Sequence, residues 1–173
     1  MGNYYYFTTK KAYHNLRLDE LLPKMVESLF KGGLKVVGEG SEFEIHAQDA
    51  APDDRPLFYV GWLRGRQVGG KHGRGPWAQW AQTLLMETLA LHLDGKMGDE
   101  GVTERWAPNP YKYPTYLKWF DTVIYPDFPE GSDADYVVRS YHRAPEWVKS
   151  LQVVIPPPPT PPQISRFDLL RDL

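Results

Sequence analysis

Residues 57–95 constrain this chain more than any other stretch, because an apolar run, a basic glycine-rich segment and a long apolar helix follow one another there. Leu57-Phe58-Tyr59-Val60-Gly61-Trp62-Leu63 is continuously apolar and rich in β-formers. That pattern predicts a strand covered on both faces. Residues 64–75 then hold five glycines and four cations, Arg64, Arg66, Lys71 and Arg74, and read as a loop. Pro76 suits the first helical position, where a missing N–H is harmless. Trp77 to Leu93 reads as a helix that ends at Gly95 in the usual cap position. Its polar stripe is narrow (Gln79, Gln82, Thr83, Glu87, Asp94), so the helix belongs inside the protein.

Upstream, Tyr4 to Thr9 is aromatic and β-branched and predicts a first strand. Leu18, Leu21, Leu22, Met25, Val26, Leu29 and Phe30 fall at helical spacing and give one apolar face. Asp19 is a candidate cap, Gly32-Gly33 a stop, and Pro23 argues for a start later than Asp19. Leu34 to Val37 and Glu42 to Ala47 predict a hairpin around Gly38-Glu39-Gly40-Ser41. In its return strand Phe43, Ile45 and Ala47 alternate with Glu42, Glu44 and His46. The order β-α-β-β-β-α predicts an α+β fold: a mainly antiparallel sheet with two principal helices packed on it.

Downstream the character changes. Residues 96–113 read mostly as loop, a short helix follows Pro114, and a capping box at Ser132 and Asp135 starts another. Leu151 to Ile155 is a candidate last strand. The C-terminal half is thus irregular and helical, and the chain divides into one domain, 1–155, and a Pro-rich arm, 156–173. Six prolines between Pro156 and Pro162 hold that arm as extended polyproline II, about 20 Å long. Ile164, Phe167, Leu170 and Leu173 make one apolar side of a short tip.

Length and composition bound the function. A chain of 173 residues can bury an ordinary core, and 42% hydrophobic with 24% charged residues is a globular balance. A net charge of −2 excludes a whole-molecule electrostatic grip on nucleic acid, so any such contact must be local, through 64–75. Cysteine is absent, which removes thiol chemistry and disulfides and fits a cytoplasmic setting. No secretion signal or membrane-length apolar run is apparent, and no membrane contact is expected.

The glycine segment offers the sharpest chemical motif. Gly65 to Lys71 matches seven places of the phosphate-cradling pattern, but His72 stands where a magnesium-holding Ser or Thr belongs. A looser site for an anion or acidic partner remains, built from Arg64, Arg66, Gly69, Gly70, Lys71, His72 and Arg74. Its alternative is a solvated surface loop. Carboxylates near His46 and His92 lack metal-ligand spacing, so no metal or cofactor is expected. No nucleophile motif stands out, and the balance is against catalysis.

The aromatic run Trp106, Tyr111, Tyr113, Tyr116, Trp119 and Phe120 reads either as a second small core or as a partner-docking patch. The functional expectation is a non-enzymatic interaction or inhibitor protein of the immunity, anti-defence or phage-assembly type. It would dock through the arm tip (Ile164, Phe167, Leu170, Leu173), the basic segment or the aromatic patch (Trp106, Tyr111, Tyr113, Trp119). Its partner would be another protein or a second copy of the chain. The alternative is a phosphate-ligand protein, nucleotide or nucleic-acid backbone, that uses 64–75.

Overall fold

The computed structural model describes residues 4–9, 17–63, 66–101, 103–124, 148, 151 and 153–157. Arg64, the capping box at Ser132 and Asp135, and the tip residues Ile164, Phe167, Leu170 and Leu173 lie outside these. The elements run β1 (Tyr4–Thr9), α1 (Leu18–Phe30), β2 (Leu34–Val37), β3 (Glu42–Ala47), β4 (Phe58–Trp62), β5 (Gln67–Lys71), α2 (Pro76–His92) and β6 (Gly95–Asp99). A 3₁₀ turn at Pro110–Lys112, a short α3 at Tyr116–Trp119 and a π-helical turn at Phe120–Ile124 follow. The fold is α+β, as expected. Its six strands lie in the order β2-β3-β4-β5-β1-β6, and every neighbouring pair is antiparallel.

Two strands in that sheet fall in stretches whose sequence predicts loop. Gln67–Lys71, inside the glycine-rich segment, is the interior strand β5. Gly95–Asp99 is the strand β6, so Gly95 does not cap the preceding helix. The reversal there falls on Asp94, which takes a left-handed conformation (φ 52°). Glycine is nonetheless demanded at these strand positions by close approach. The Tyr6 ring lies over Gly98, whose added Cβ would come within 2.8 Å of ring carbons. A Cβ on Gly69 would fall 2.7 Å from the Tyr6 Cα. Real Cβ atoms do not approach that closely, so glycine here marks tight packing and not a turn.

One face of the sheet carries the core. Tyr5, Phe7, Phe43, Ile45, Phe58, Val60, Val68 and Met97 are buried together with the apolar faces of α1 and α2. Strand β4 alternates, with Phe58 and Val60 buried and Tyr59 half-buried. No residue of the strand is exposed, and its Tyr59 face is only less completely covered than its core face. His46 falls on that outer face by register, opposite Lys35, yet it is buried beside Glu44.

Helix α1 begins at Leu18 despite Pro23, which sits inside it on the exposed side. Water can there replace the hydrogen bond that proline withholds. Asp19 is not the cap. It lies in the first turn, where its carboxylate pairs with the Arg17 guanidinium at 2.7 Å and complements the helix dipole.

Helix α2 starts at Pro76, as its position in the sequence predicts, and is buried almost all round. It is sandwiched between the sheet with α1 on one side and the segment 106–124 on the other. Trp80, Tyr116, Trp119 and Phe120 interlock on that second side, with Tyr116 ring centroids 5.8–6.3 Å from the other three. Trp119 is thus a core residue and not a surface anchor. The stretch at Leu151 to Ile155 forms no strand among its described residues, although the Val154 N–H donates to Leu29 O at 3.0 Å.

Candidate binding site

Because α2 is covered on both sides, Gln82 and Glu87 of its polar stripe are buried, and each must find a partner within the protein. Two glutamines of the stripe act as ties. Gln82 accepts from the Gly73 N–H at 2.8 Å and donates to the Lys71 carbonyl at 2.8 Å. Gln79 donates to the Gly73 carbonyl at 3.3 Å. These bonds hold the chain between β5 and α2 in one conformation.

Glu87, further along the helix, is a third tie and the centre of a more unusual site. It is 7% exposed. One carboxylate oxygen accepts from the Tyr5 hydroxyl and from the Trp106 indole N–H, each at 3.2 Å. The other accepts from the Asn109 backbone N–H at 2.7 Å. Helix, first strand and the loop after β6 are thereby joined through one side chain. Two further contacts secure that loop. Trp106 and Met97 exchange backbone hydrogen bonds, and the Trp80 indole donates to the Tyr113 carbonyl at 3.2 Å.

The clamped loop does not fill the space above the helix. A cavity of about 310 Å³ remains, walled by Trp80, Trp106 and Tyr113, floored by Thr83, Leu84 and Glu87, and rimmed by Lys112. That volume lies at the small end of the range for small-molecule sites. Exposed rings stand at its mouth or beside it, Trp106 at 36% and Tyr111 at 39%. The Tyr111 hydroxyl donates to the Pro156 carbonyl at 2.5 Å, so this ring is engaged by the root of the proline-rich arm.

Burial pushes the Glu87 carboxyl above the ordinary glutamate range. Its hydrogen bonds from Trp106, Asn109 and Tyr5, and the positive charge of Lys112, act in the opposite direction and do not overcome it. The Tyr5 hydroxyl is held protonated well above the usual tyrosine range, first by burial and then by the Glu87 charge. Beyond Tyr5 the network reaches the surface. The His72 ring lies 5.8 Å from the Tyr5 ring, and its Nε2 is 3.2 Å from an Asp99 oxygen.

A group whose folded value is raised contributes stability below its unfolded value and loses it as pH rises through the folded one. The stability of wild type relative to Glu87→Gln should therefore fall as pH rises from about 4.3, the ordinary glutamate value, towards neutrality. Urea midpoints of both proteins across that window measure this directly. A difference independent of pH would mean that the carboxyl is not desolvated.

Among the described residues, those singled out in the basic segment do not gather into a backbone cradle. Gly69 pairs with Gly61 on one side and Tyr6 on the other, and Gly70 with Tyr5, so both belong to sheet ladders. Arg66 turns the chain into β5, and its carbonyl accepts from the Thr9 N–H at 3.1 Å. Lys71 ends β5, His72 turns to Asp99, and the Arg74 N–H approaches Leu57 O at 3.4 Å. Of the aromatic candidates, the structure brings Trp106 and Tyr113 together at the cavity and leaves Tyr111 beside it.

Sequence reading missed Glu87, Tyr5, Thr83, Asn109 and Lys112. One signal was available: the one carboxylate in the narrow polar stripe of Pro76–His92. Among the described residues no group of three His, Asp or Glu side chains could hold a metal ion, and no helix is long and apolar enough to cross a membrane. No family model, curated protein or solved structure matches the chain.

Proposed function

We propose that this chain is a binding protein that docks on another protein through the aromatic mouth between α2 and the loop 106–113. The supporting observation is a pair of exposed rings, Trp106 and Tyr111, standing on a loop already locked by hydrogen bonds to Glu87 and Trp80. Trp and Tyr are enriched where binding energy concentrates, because each supplies a large rigid contact area with few torsions to freeze. Pre-organisation lowers the entropy that docking must overcome. Leu117, exposed at 42%, extends the apolar area towards α3. An inhibitor or immunity-type protein needs such a rigid, pre-formed surface and no turnover.

A photo-crosslinking residue placed at Trp106 in cells that express the chain should yield discrete protein adducts. The same probe at Asp53, on the exposed loop before β4, should not. Trp106→Ala and Tyr111→Ala should each weaken partner binding by roughly 10-fold or more while leaving the fold intact. Equal cross-linking at both positions, or unchanged affinity in both variants, would overturn the proposal.

A further inference from the structure

We infer that the Glu87 cavity is a socket for an organic cation, a guanidinium or ammonium head on a short aliphatic stem. The inference rests on the docking mouth just described and names the chemistry that the mouth selects. Glu87 accepts hydrogen bonds from a phenol, an indole and an amide. All are neutral, so they orient the carboxylate without supplying a counter-charge. Among the described residues no cation stands within ion-pair distance of it. A desolvated carboxylate facing an open cavity lacks a directly paired positive charge, and a guanidinium brings one with donors matched to carboxylate oxygens.

The walls point to the same chemistry. Trp80, Trp106 and Tyr113 present aromatic surface around the carboxylate. Aromatic faces attract cations through their quadrupole, most strongly where water is excluded. One cation already samples this surface, since the exposed Lys112 ammonium lies 5.3 Å from the centre of the Tyr113 ring. Lys112 belongs to the rim and can swing outward, so it acts as a competitor and not as part of the floor. The negative floor disfavours phosphate and carboxylate ligands. The titratable groups that face Glu87 are Tyr5 from β1 and Lys112 from the rim, with His72 and Asp99 lying behind Tyr5.

The probes are n-butylguanidinium and its neutral isostere n-butylurea, read by the Trp106 indole N–H resonance and by calorimetry. The cation should bind at least about 10-fold more tightly than the urea, since removing the charge forfeits both the ion pair and the cation–π contribution. Glu87→Gln should erase that preference. Lys112→Met should tighten cation binding several-fold by removing the competitor. A blocked peptide, acetyl-Gly-Arg-Gly-amide, distinguishes the source. Tighter binding than n-butylguanidinium assigns the head to a protein side chain, and weaker binding assigns it to a free amine or guanidine. Equal binding of urea and guanidinium would overturn the inference, as would a preference that survives in Glu87→Gln. Should Glu87→Gln fail to fold, unchanged or weaker cation binding by Lys112→Met overturns it independently. Cross-linking at position 106 without any cation preference would sink this inference and leave the docking proposal standing.

Discussion

Gly70→Ala should cost at least about 3 kcal/mol, a large share of the roughly 5–15 kcal/mol that holds a domain folded. An added Cβ at this interior strand position would run into the backbone carbonyl oxygen of Tyr59, with the carbonyl carbon 2.8 Å away. Neither atom belongs to a side chain that could rotate aside. Relief requires β4 and β5 to separate, and the sheet would lose pairing at its centre. Overpacking a flexible core site costs about 1–3 kcal/mol, and a collision with backbone belongs at or beyond the top of that range. Gly32→Ala is the matched control. Gly32 has a left-handed φ of 77° but nothing within 4 Å of the added atom, so only the conformational strain of about 1–2 kcal/mol applies. Urea unfolding of the two variants should rank them in that order. A Gly70→Ala protein as stable as Gly32→Ala would mean that β4 and β5 do not approach as closely as described.

Glu87→Ala is expected to cost roughly 2–3 kcal/mol and to release the loop 106–113. The substitution strands the Tyr5 hydroxyl, which is buried, together with the Trp106 indole and the Asn109 amide. Each buried donor left without an acceptor costs about 1–3 kcal/mol. Only the Tyr5 group is far from solvent; the other two belong to exposed residues that water can reach, which keeps the sum well below the maximum. Denaturant unfolding gives the first number, and hydrogen exchange at the Asn109 amide reports the second effect. That amide should exchange much faster in the variant, while amides in α1 move only with global stability. Unchanged exchange at Asn109 would show that the loop is held by Trp80 and the Met97–Trp106 bridge without help from Glu87.

Where side-chain periodicity carried the signal, the sequence was legible. The apolar spacing of Leu21, Leu22, Met25 and Val26 placed α1, alternation around Phe43 and Ile45 placed β3, and Pro76 placed the start of α2. Strands β5 and β6 were not legible, because Gly69, Gly70 and Gly98 weaken any strand pattern. Glycine there answers a crowding that exists only after Tyr59 and Tyr6 are in place from distant parts of the chain. The site was hidden for a related reason. A polar stripe on an amphipathic helix ordinarily faces water, and nothing local to Gln82 or Glu87 announces that a later segment covers it. The exposed Trp106 and the buried Trp119 look alike in the sequence, since both lie in the same aromatic run. What separates them is which ring meets Tyr116 in three dimensions.

The position of β1 between β5 and β6 has a consequence for how the chain is made. Phe7 pairs with Val68 on one side and Met97 on the other, so the first of the six described strands in chain order finds its neighbours last. At about 5–20 residues per second, roughly 5–20 s separate the synthesis of Phe7 from that of Met97. During that interval α1 and the β2-β3-β4 meander can pair with one another, while β4 still waits for β5 and α1 for α2. The nascent Tyr4-Tyr5-Tyr6-Phe7 segment meanwhile offers bare strand edges and four aromatic rings, the kind of segment that chaperones shield and that aggregates when they do not. Closure of the sheet therefore waits on β5 and β6, and the time for which the β1 edges stay bare is set by how fast residues 67–99 are made.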